Sequence, residues 1–173
     1  MNNLKSKNLS GVAINKLRKR IKHRDACVAI IGLGYVGLPL TIRFFEEGFK
    51  VVGFDIDKEK VALLNSGKSY IKHIKEDDIS AMSNNGFTAT TDFSEITNVD
   101  VIIICVPTPL GVHNEPDLSY IHGTLKNIKP HLKENQLLIL ESTTYPGTTE
   151  EILVPFIESI PDSSLITHHS SLF

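Results

Sequence analysis

Short continuous hydrophobic runs alternate with segments of helical periodicity along most of this chain. Cys27 to Ile31 (CVAII), Lys50 to Asp55 (KVVGFD), Val101 to Val106 (VIIICV) and Leu137 to Leu140 read as strands. The unbroken, β-branched character of the first and third is what burial on both faces of a sheet demands. Phe87 to Thr90 is a shorter strand. Val36, Leu40 and Phe44 recur every four residues up to Gly48, a plausible helix C′ position. A helix from Lys58, with Asp57 as its cap, puts Val61 and Leu64 on one side and ends at Gly67. Another runs from Glu76 to Asn85 and is stopped by Asn85-Gly86. Asp92 caps a turn leading to Asn98, and Asp117 caps a helix closing near Pro130. Thr148-x-x-Glu151 has capping-box spacing ahead of Ile152, Leu153, Phe156 and Ile157.

Strands separated by helices predict βαβ units with right-handed crossovers and a parallel sheet. The expected fold is therefore α/β, a doubly wound parallel sheet over residues 26–160. A basic helix or extension occupies 1–25, and 161–173 is an irregular tail that reads as a truncated or frameshifted end. A chain of 173 residues needs neither disulfide nor metal to fold. Its two cysteines, Cys27 and Cys105, lie inside apolar runs and read as small buried hydrophobes in a reducing, cytoplasmic setting. No stretch approaches the ~18 apolar residues of a membrane span.

Charge is unevenly distributed. Eight of the 18 Lys and Arg residues fall in residues 1–24, where there is no acid, so the remainder sets ten bases against all 20 acids. An acidic body argues against a broad nucleic-acid surface. The basic start reads as a short helix capped by Ser10, with Ile14, Leu17 and Ile21 packing on the α/β domain. A mitochondrial presequence and a nucleic-acid or lipid-binding arm are the rival readings.

The chemistry concentrates in Gly32-Leu33-Gly34-Tyr35-Val36-Gly37. This G-x-G-x-x-G follows a strand and opens a helix, which is the context that gives the pattern meaning. Gly32 permits the tight turn, Gly34 lets a pyrophosphate approach the backbone, and Gly37 lets the helix pack closely on the sheet. The helix N-terminus supplies the anion site, and Pro39 in its first turn lacks an N–H that would be unpaired anyway. Asp55 ends the second strand 18 residues after Gly37. A carboxylate there can accept both ribose hydroxyls and repel a 2′-phosphate, which favours NAD over NADP. The plainer alternative is a tight βα turn with Asp55 as a helix cap. Gly67-Lys68-Ser69 resembles the end of a P-loop, but Ala62 stands where that motif needs glycine.

Ligands of open α/β sheets bind beyond the carboxyl ends of the strands. Val106-Pro107-Thr108-Pro109 and Ser142-Thr143-Thr144 also end there, so Val106, Thr108, Thr143 and Glu141 join the candidates, with Thr143 and Glu141 at the nicotinamide or substrate end. A turn or cap bond is the structural alternative for each threonine. His113, His122, His168 and His169 show no metal-ligand spacing. No nucleophilic or proton-transfer constellation is evident.

Five motifs then resemble one family: VAIIGLGYVGLPL (28–40), VVGFDIDxxKV (51–61), IIICVPTPL (102–110), PDLSYI (116–121) and LESTTYPGTT (140–149). In order and over roughly residues 10–160, they are similar to the N-terminal domain of the UDP-glucose/GDP-mannose dehydrogenase family. Within it they look most like UDP-N-acetylglucosamine and UDP-N-acetylmannosamine 6-dehydrogenases. The resemblance implies a Rossmann NAD-binding domain and oxidation of the C6 hydroxyl of a UDP-sugar to a carboxylate with two NAD, through a thiohemiacetal or thioester on a cysteine. It implies that Gly32, Gly34 and Gly37 hold the pyrophosphate, with Tyr35 and Val36 also cofactor-binding, and that Asp55 and Lys60 serve the adenosine ribose region. Val106, Thr108 and Thr143 would contact the cofactor, with Thr143 as an auxiliary catalytic residue near the nicotinamide that helps to position a water. The family's nucleophilic cysteine, its oxyanion-stabilising Lys and Asn and its sugar-binding domain have no counterpart here. The chain is accordingly expected to bind NAD(H), to lack turnover alone, and to engage a UDP-sugar only with the remaining domains supplied; family members form homo-oligomers. A stand-alone NAD(H)-binding regulatory or interaction module and a short β-hydroxyacid dehydrogenase are the rival readings.

Overall fold

In the computed structural model, residues 3–111, 115–160 and 166–167 are described, with side chains over 11–111 and 115–160. The chain runs α1 (Asn3–Lys22), β1 (Cys27–Ile31), α2 (Gly37–Glu46), β2 (Lys50–Phe54), α3 (Lys58–Asn65), α4 (Glu76–Asn84) and β3 (Thr88–Thr90). After a 3₁₀ turn at Phe93–Asn98 come β4 (Val101–Ile104), α5 (Ser119–Ile128) and β5 (Leu137–Leu140). A single π turn, Thr149–Leu153, leads directly into α6 (Val154–Glu158), and β6 (Ile166–Thr167) is the last element among the described residues.

All strands pair in parallel, in the order β3-β2-β1-β4-β5-β6. The chain builds outward from β1 in one direction through β2 and β3, then returns to β4 on the other side of β1. That reversal creates a crevice between β1 and β4 at their carboxyl ends. Of the tail expected at 161–173, only Ile166–Thr167 is described, as the two residues paired beside β5.

The strand pattern explains why both faces are covered. Val28 and Ile30 of β1, with Val101 and Ile103 of β4, pack in one cluster with Leu38, Leu64, Ile79 and Leu17. The alternate residues Ala29, Ile31, Ile102 and Ile104 pack on the other face with Ile121, Leu125, Ile128, Leu153 and Ile157. Successive strand side chains point to opposite faces, so runs apolar at every position serve two cores at once.

Three local expectations are corrected. The first helix begins at Asn3, so Ser10 lies inside it and is no cap. Leu17 and Ile21 nonetheless pack on the core, whereas Ile14, expected beside them, is exposed; Arg20 pairs with Asp100 at the base of β4. The Thr148-x-x-Glu151 capping box does not form. Thr148 already has helical dihedrals (φ −53°, ψ −38°), and its hydroxyl donates back to the Tyr145 carbonyl, while Glu151 accepts from the Tyr145 hydroxyl. On α2, Val36 is exposed at the cleft instead of leading the buried stripe; Leu38 and Thr41 carry the buried face. The caps at Asp57 and Asp92 form as expected, each carboxylate accepting backbone N–H groups of the following turn. Asp117 accepts from the Ser119 N–H at the start of α5.

Candidate functional site

The cleft lies where β1, β2, β4 and β5 end, and encloses ≈ 740 Å³. That volume is in the range of small-molecule and cofactor sites. Gly32, Gly34, Tyr35, Val36, Asp55, Lys60, Val106, Thr108, Glu141 and Thr143 all line it, so four separated segments of sequence meet in one place.

The glycine turn is built by contacts that no side chain could share. Gly32 has φ +91°, and a Cβ there would stand 2.7 Å from the Cys105 carbonyl oxygen. A Cβ on Gly37 would come to 1.8 Å from the Gly32 carbonyl oxygen, so helix α2 can start only this close to the turn without one. Gly34 differs: a Cβ built there meets no protein atom within 4 Å and would project into open space beside the cleft. Leu38 and Leu40 already donate to the carbonyls of Gly34 and Val36, and Pro39 has no N–H, so the donors left for a ligand are the N–H groups of residues 34–37, where the helix dipole adds partial positive charge. Space, donors and field together fit a phosphate group.

Asp55 is 8% exposed and binds the turn directly. Its Oδ2 accepts from the Leu33 N–H at 2.9 Å, and its Oδ1 accepts from the Asp57 N–H at 3.0 Å. A carboxylate has about four acceptor positions, so both oxygens retain capacity for hydroxyl donors in the cleft. Asp57, and not Asp55, caps α3, which disposes of the alternative role for Asp55. Lys60 stands at the rim with Nζ 3.9 Å from Asp57 Oδ2 and 5.8 Å from the centre of the Tyr70 ring. A glycine turn with donors, a buried carboxylate with free acceptor positions and a cavity of this size fit the adenosine and pyrophosphate parts of a dinucleotide.

At the far end, the Thr108 hydroxyl donates to the Thr143 carbonyl, and the Ser142 hydroxyl donates to the Val106 carbonyl at 2.8 Å. The turn bond weighed for Thr108 is thus made, and it ties the loops after β4 and β5 into one wall. Cys105 lines the same wall. Burial, and secondarily the charge of Glu141, pushes its thiol up to about 11. Cys27 is at the opposite end of β1; burial first, then Asp100, raises its pKa too. Neither thiol is disposed to ionise at neutral pH. Among the described residues no three His, Cys, Asp or Glu side chains gather as a metal site needs; His113, His168 and His169 lie outside the described residues. No described helix is long and apolar enough to cross a membrane.

Sequence reasoning missed part of the lining. Ile56, 70% exposed directly after Asp55, and Phe93 flank the carboxylate side, and Ser119, Tyr120, Gly123, Thr124 and Asn127 present one face of α5. The signal was available: Tyr120, Gly123 and Asn127 recur at i, i+3 and i+7 on a helix whose opposite face is buried.

Comparison with known proteins gives a consistent result. Residues 26–170 match the UDP-glucose/GDP-mannose dehydrogenase family, NAD binding domain. The chain is 38% identical over 135 residues to the UDP-N-acetyl-D-glucosamine 6-dehydrogenase of Pseudomonas aeruginosa, covering 78% of this chain and 31% of that protein. It is 40% identical over 139 residues to the UDP-N-acetyl-D-mannosamine dehydrogenase of Campylobacter jejuni, covering 79% and 34%. The solved UDP-N-acetyl-mannosamine dehydrogenase Cap5O from S. aureus superposes with a TM-score of 0.75 at 29% identity, over 82% of this chain and 35% of that one. The chain therefore spans about a third of the length of these relatives.

Proposed function

Because this chain belongs to the UDP-glucose/GDP-mannose dehydrogenase family, as its NAD-binding domain, we propose that it provides the NAD site for oxidising the C6 hydroxyl of a UDP-sugar to a carboxylate. The reading includes a cytoplasmic setting, where both thiols stay reduced, and another domain that contributes the sugar pocket and the nucleophile. The observation that carries it is the convergence of the glycine turn, Asp55 and the β4 and β5 loops on one cleft, with Asp55 bonded to the turn itself.

In this reading Gly34, Tyr35, Val36 and the N-terminus of α2 hold the pyrophosphate, with Gly32 and Gly37 shaping the turn. Asp55 accepts the adenosine ribose hydroxyls, and its charge repels a 2′-phosphate. Lys60 flanks that ribose. Val106, Thr108 and Thr143 hold the nicotinamide end; Thr108 keeps its oxygen lone pairs for the ligand because its proton is given to Thr143. Thr143 helps to orient a water for the second oxidation. When bound, NAD supplies the hydride acceptor, and Val106 and Pro107 line that end of the cleft. The two thiols of this chain do not supply the nucleophile: one is remote and the other is held protonated by burial.

Titration calorimetry with residues 1–173 tests the binding step, with saturable NAD uptake as the expected result. The same protein mixed with NAD and UDP-N-acetylglucosamine or UDP-N-acetylmannosamine should form no NADH. Absence of NAD uptake would overturn the whole reading, and NADH formation would overturn the assignment of the nucleophile to another domain.

A further inference from the structure

The segment between α3 and α4 touches the glycine turn without itself lining the cleft. Ile71 and Ile74, 4% and 9% exposed, anchor this segment in the core. From that anchor the Tyr70 hydroxyl reaches across to donate to the carbonyl of Leu33, in the middle of the turn. His73, three residues on, stacks against Tyr35 with ring centres 6.0 Å apart. The segment therefore meets the turn on both sides of Gly34.

Leu33 is held at both of its peptide groups. Its N–H, part of the 32–33 peptide, donates to Asp55. Its carbonyl, part of the 33–34 peptide, accepts from Tyr70. In a trans peptide the C=O and the following N–H point in opposite directions. Fixing the Leu33 oxygen toward Tyr70 therefore turns the Gly34 N–H the other way. Gly34 lines the cleft and has no side chain to resist rotation of that peptide, because glycine accepts the dihedrals of either orientation. The Tyr70 hydroxyl supplies the resistance that residue 34 lacks.

We propose that Tyr70 is a positioning residue for the cofactor's phosphates, locking the 33–34 peptide so that the Gly34 N–H stays available to the pyrophosphate while Asp55 serves the ribose. The inference rests on the NAD reading and deepens it. Burial, with the charges of Asp55 and Asp57, raises the Tyr70 pKa and keeps the hydroxyl a donor. The ring packs on the core and under Lys60, so removing only the oxygen leaves those contacts in place.

The test compares the full chain with Y70F, titrated with NAD, ADP and adenosine. If the hydroxyl positions the phosphate donor, NAD and ADP each bind about fivefold more weakly to Y70F, the loss expected for one hydrogen bond. Adenosine, which has the ribose and no phosphate, binds both proteins equally. The Gly34 amide resonance should also shift in Y70F without ligand, while distant core amides stay in place. Equal affinities of parent and variant for all three ligands overturn the inference, and so does a loss shared equally by ADP and adenosine, which marks a merely structural effect. A parent chain that binds none of the three overturns the NAD reading and this inference with it; binding by the parent separates the two failures.

Discussion

The backbone N–H of Leu33 donates to Oδ2 of Asp55 at 2.9 Å, so the carboxylate directly after β2 is part of the glycine turn after β1. The two halves of the dinucleotide fingerprint are thus one hydrogen-bonded unit before any ligand arrives. Substituting Asp55 should then cost both binding and stability. In D55A the N–H groups of Leu33 and Asp57 lose a charged acceptor, which corresponds to roughly 1.5–3 kcal/mol per bond at most. Chemical denaturation should show a clear loss, and calorimetry at least a roughly tenfold weaker NAD affinity. D55N should bind weakly as well, because an amide keeps only one acceptor oxygen where two N–H groups need partners. NAD affinity equal to the parent's in either variant would remove Asp55 from the ribose.

Gly34 and Gly37 separate cofactor space from folding space. A Cβ on Gly34 meets no protein atom within 4 Å, so G34A should fold with unchanged or slightly raised thermal stability, since alanine restricts the unfolded chain. It should still bind NAD at least about tenfold more weakly, because the methyl occupies room a phosphate needs. G37A faces a backbone oxygen at 1.8 Å and cannot keep the turn. Its melting temperature should fall markedly along with its affinity. Equal melting temperatures for the two variants would contradict this division.

Much of this was legible in the sequence for a specific reason. A central parallel strand must be apolar on both faces, and CVAII and VIIIC announce that without alternation. The fingerprint glycines and Asp55 are legible because their roles are local: a dihedral, a close approach, a charge at a strand end. The errors came from competition between neighbours. Ser10 has cap chemistry, yet the helix continues through it from Asn3. Thr148 and Glu151 have capping-box spacing, yet Tyr145 engages both side chains. Tyr70 is illegible for a different reason: it meets Leu33 across 37 positions, and no periodicity encodes a contact between two loops. The same holds for Gln136, whose buried amide donates to the carbonyls of Ile96 and Val99.

The base of the sheet should respond asymmetrically to breaking its ion pair. Asp100 accepts both the Arg20 guanidinium and, at 2.8 Å, the Cys27 N–H. R20A removes a partly exposed partner and should cost only about 0–1 kcal/mol in urea unfolding. D100A strands the Cys27 N–H, while Arg20 keeps its bond to the Asp25 carbonyl, and should cost roughly 1–3 kcal/mol. NAD affinity should stay unchanged in both, since Asp100 precedes β4 and the cleft lies beyond the other end of that strand. A loss of NAD binding in D100A, with the fold intact, would show that the two ends of the sheet are coupled.

Cys105 offers the sharpest test of how burial acts at the cleft wall. Burial, then the charge of Glu141, moves its thiol from an ordinary 9.0 up to about 11. At pH 9 an unfolded chain would have this thiol about half ionised, while the folded chain would hold roughly 1% as thiolate. Iodoacetamide labelling of Cys105, read by peptide mass, should accordingly stay slow to about pH 10 in native protein and be fast in urea. The linked stability has a definite sign. The folded state keeps a proton that the unfolded state has lost, so this contribution is complete below pH 9 and shrinks as pH rises toward about 11. C105A should flatten that alkaline decline. E141Q removes the lesser of the two causes and should bring labelling forward only modestly, because burial dominates. If E141Q alone restored the reactivity of a free thiol, the charge of Glu141 and not burial would be what holds the Cys105 thiol protonated.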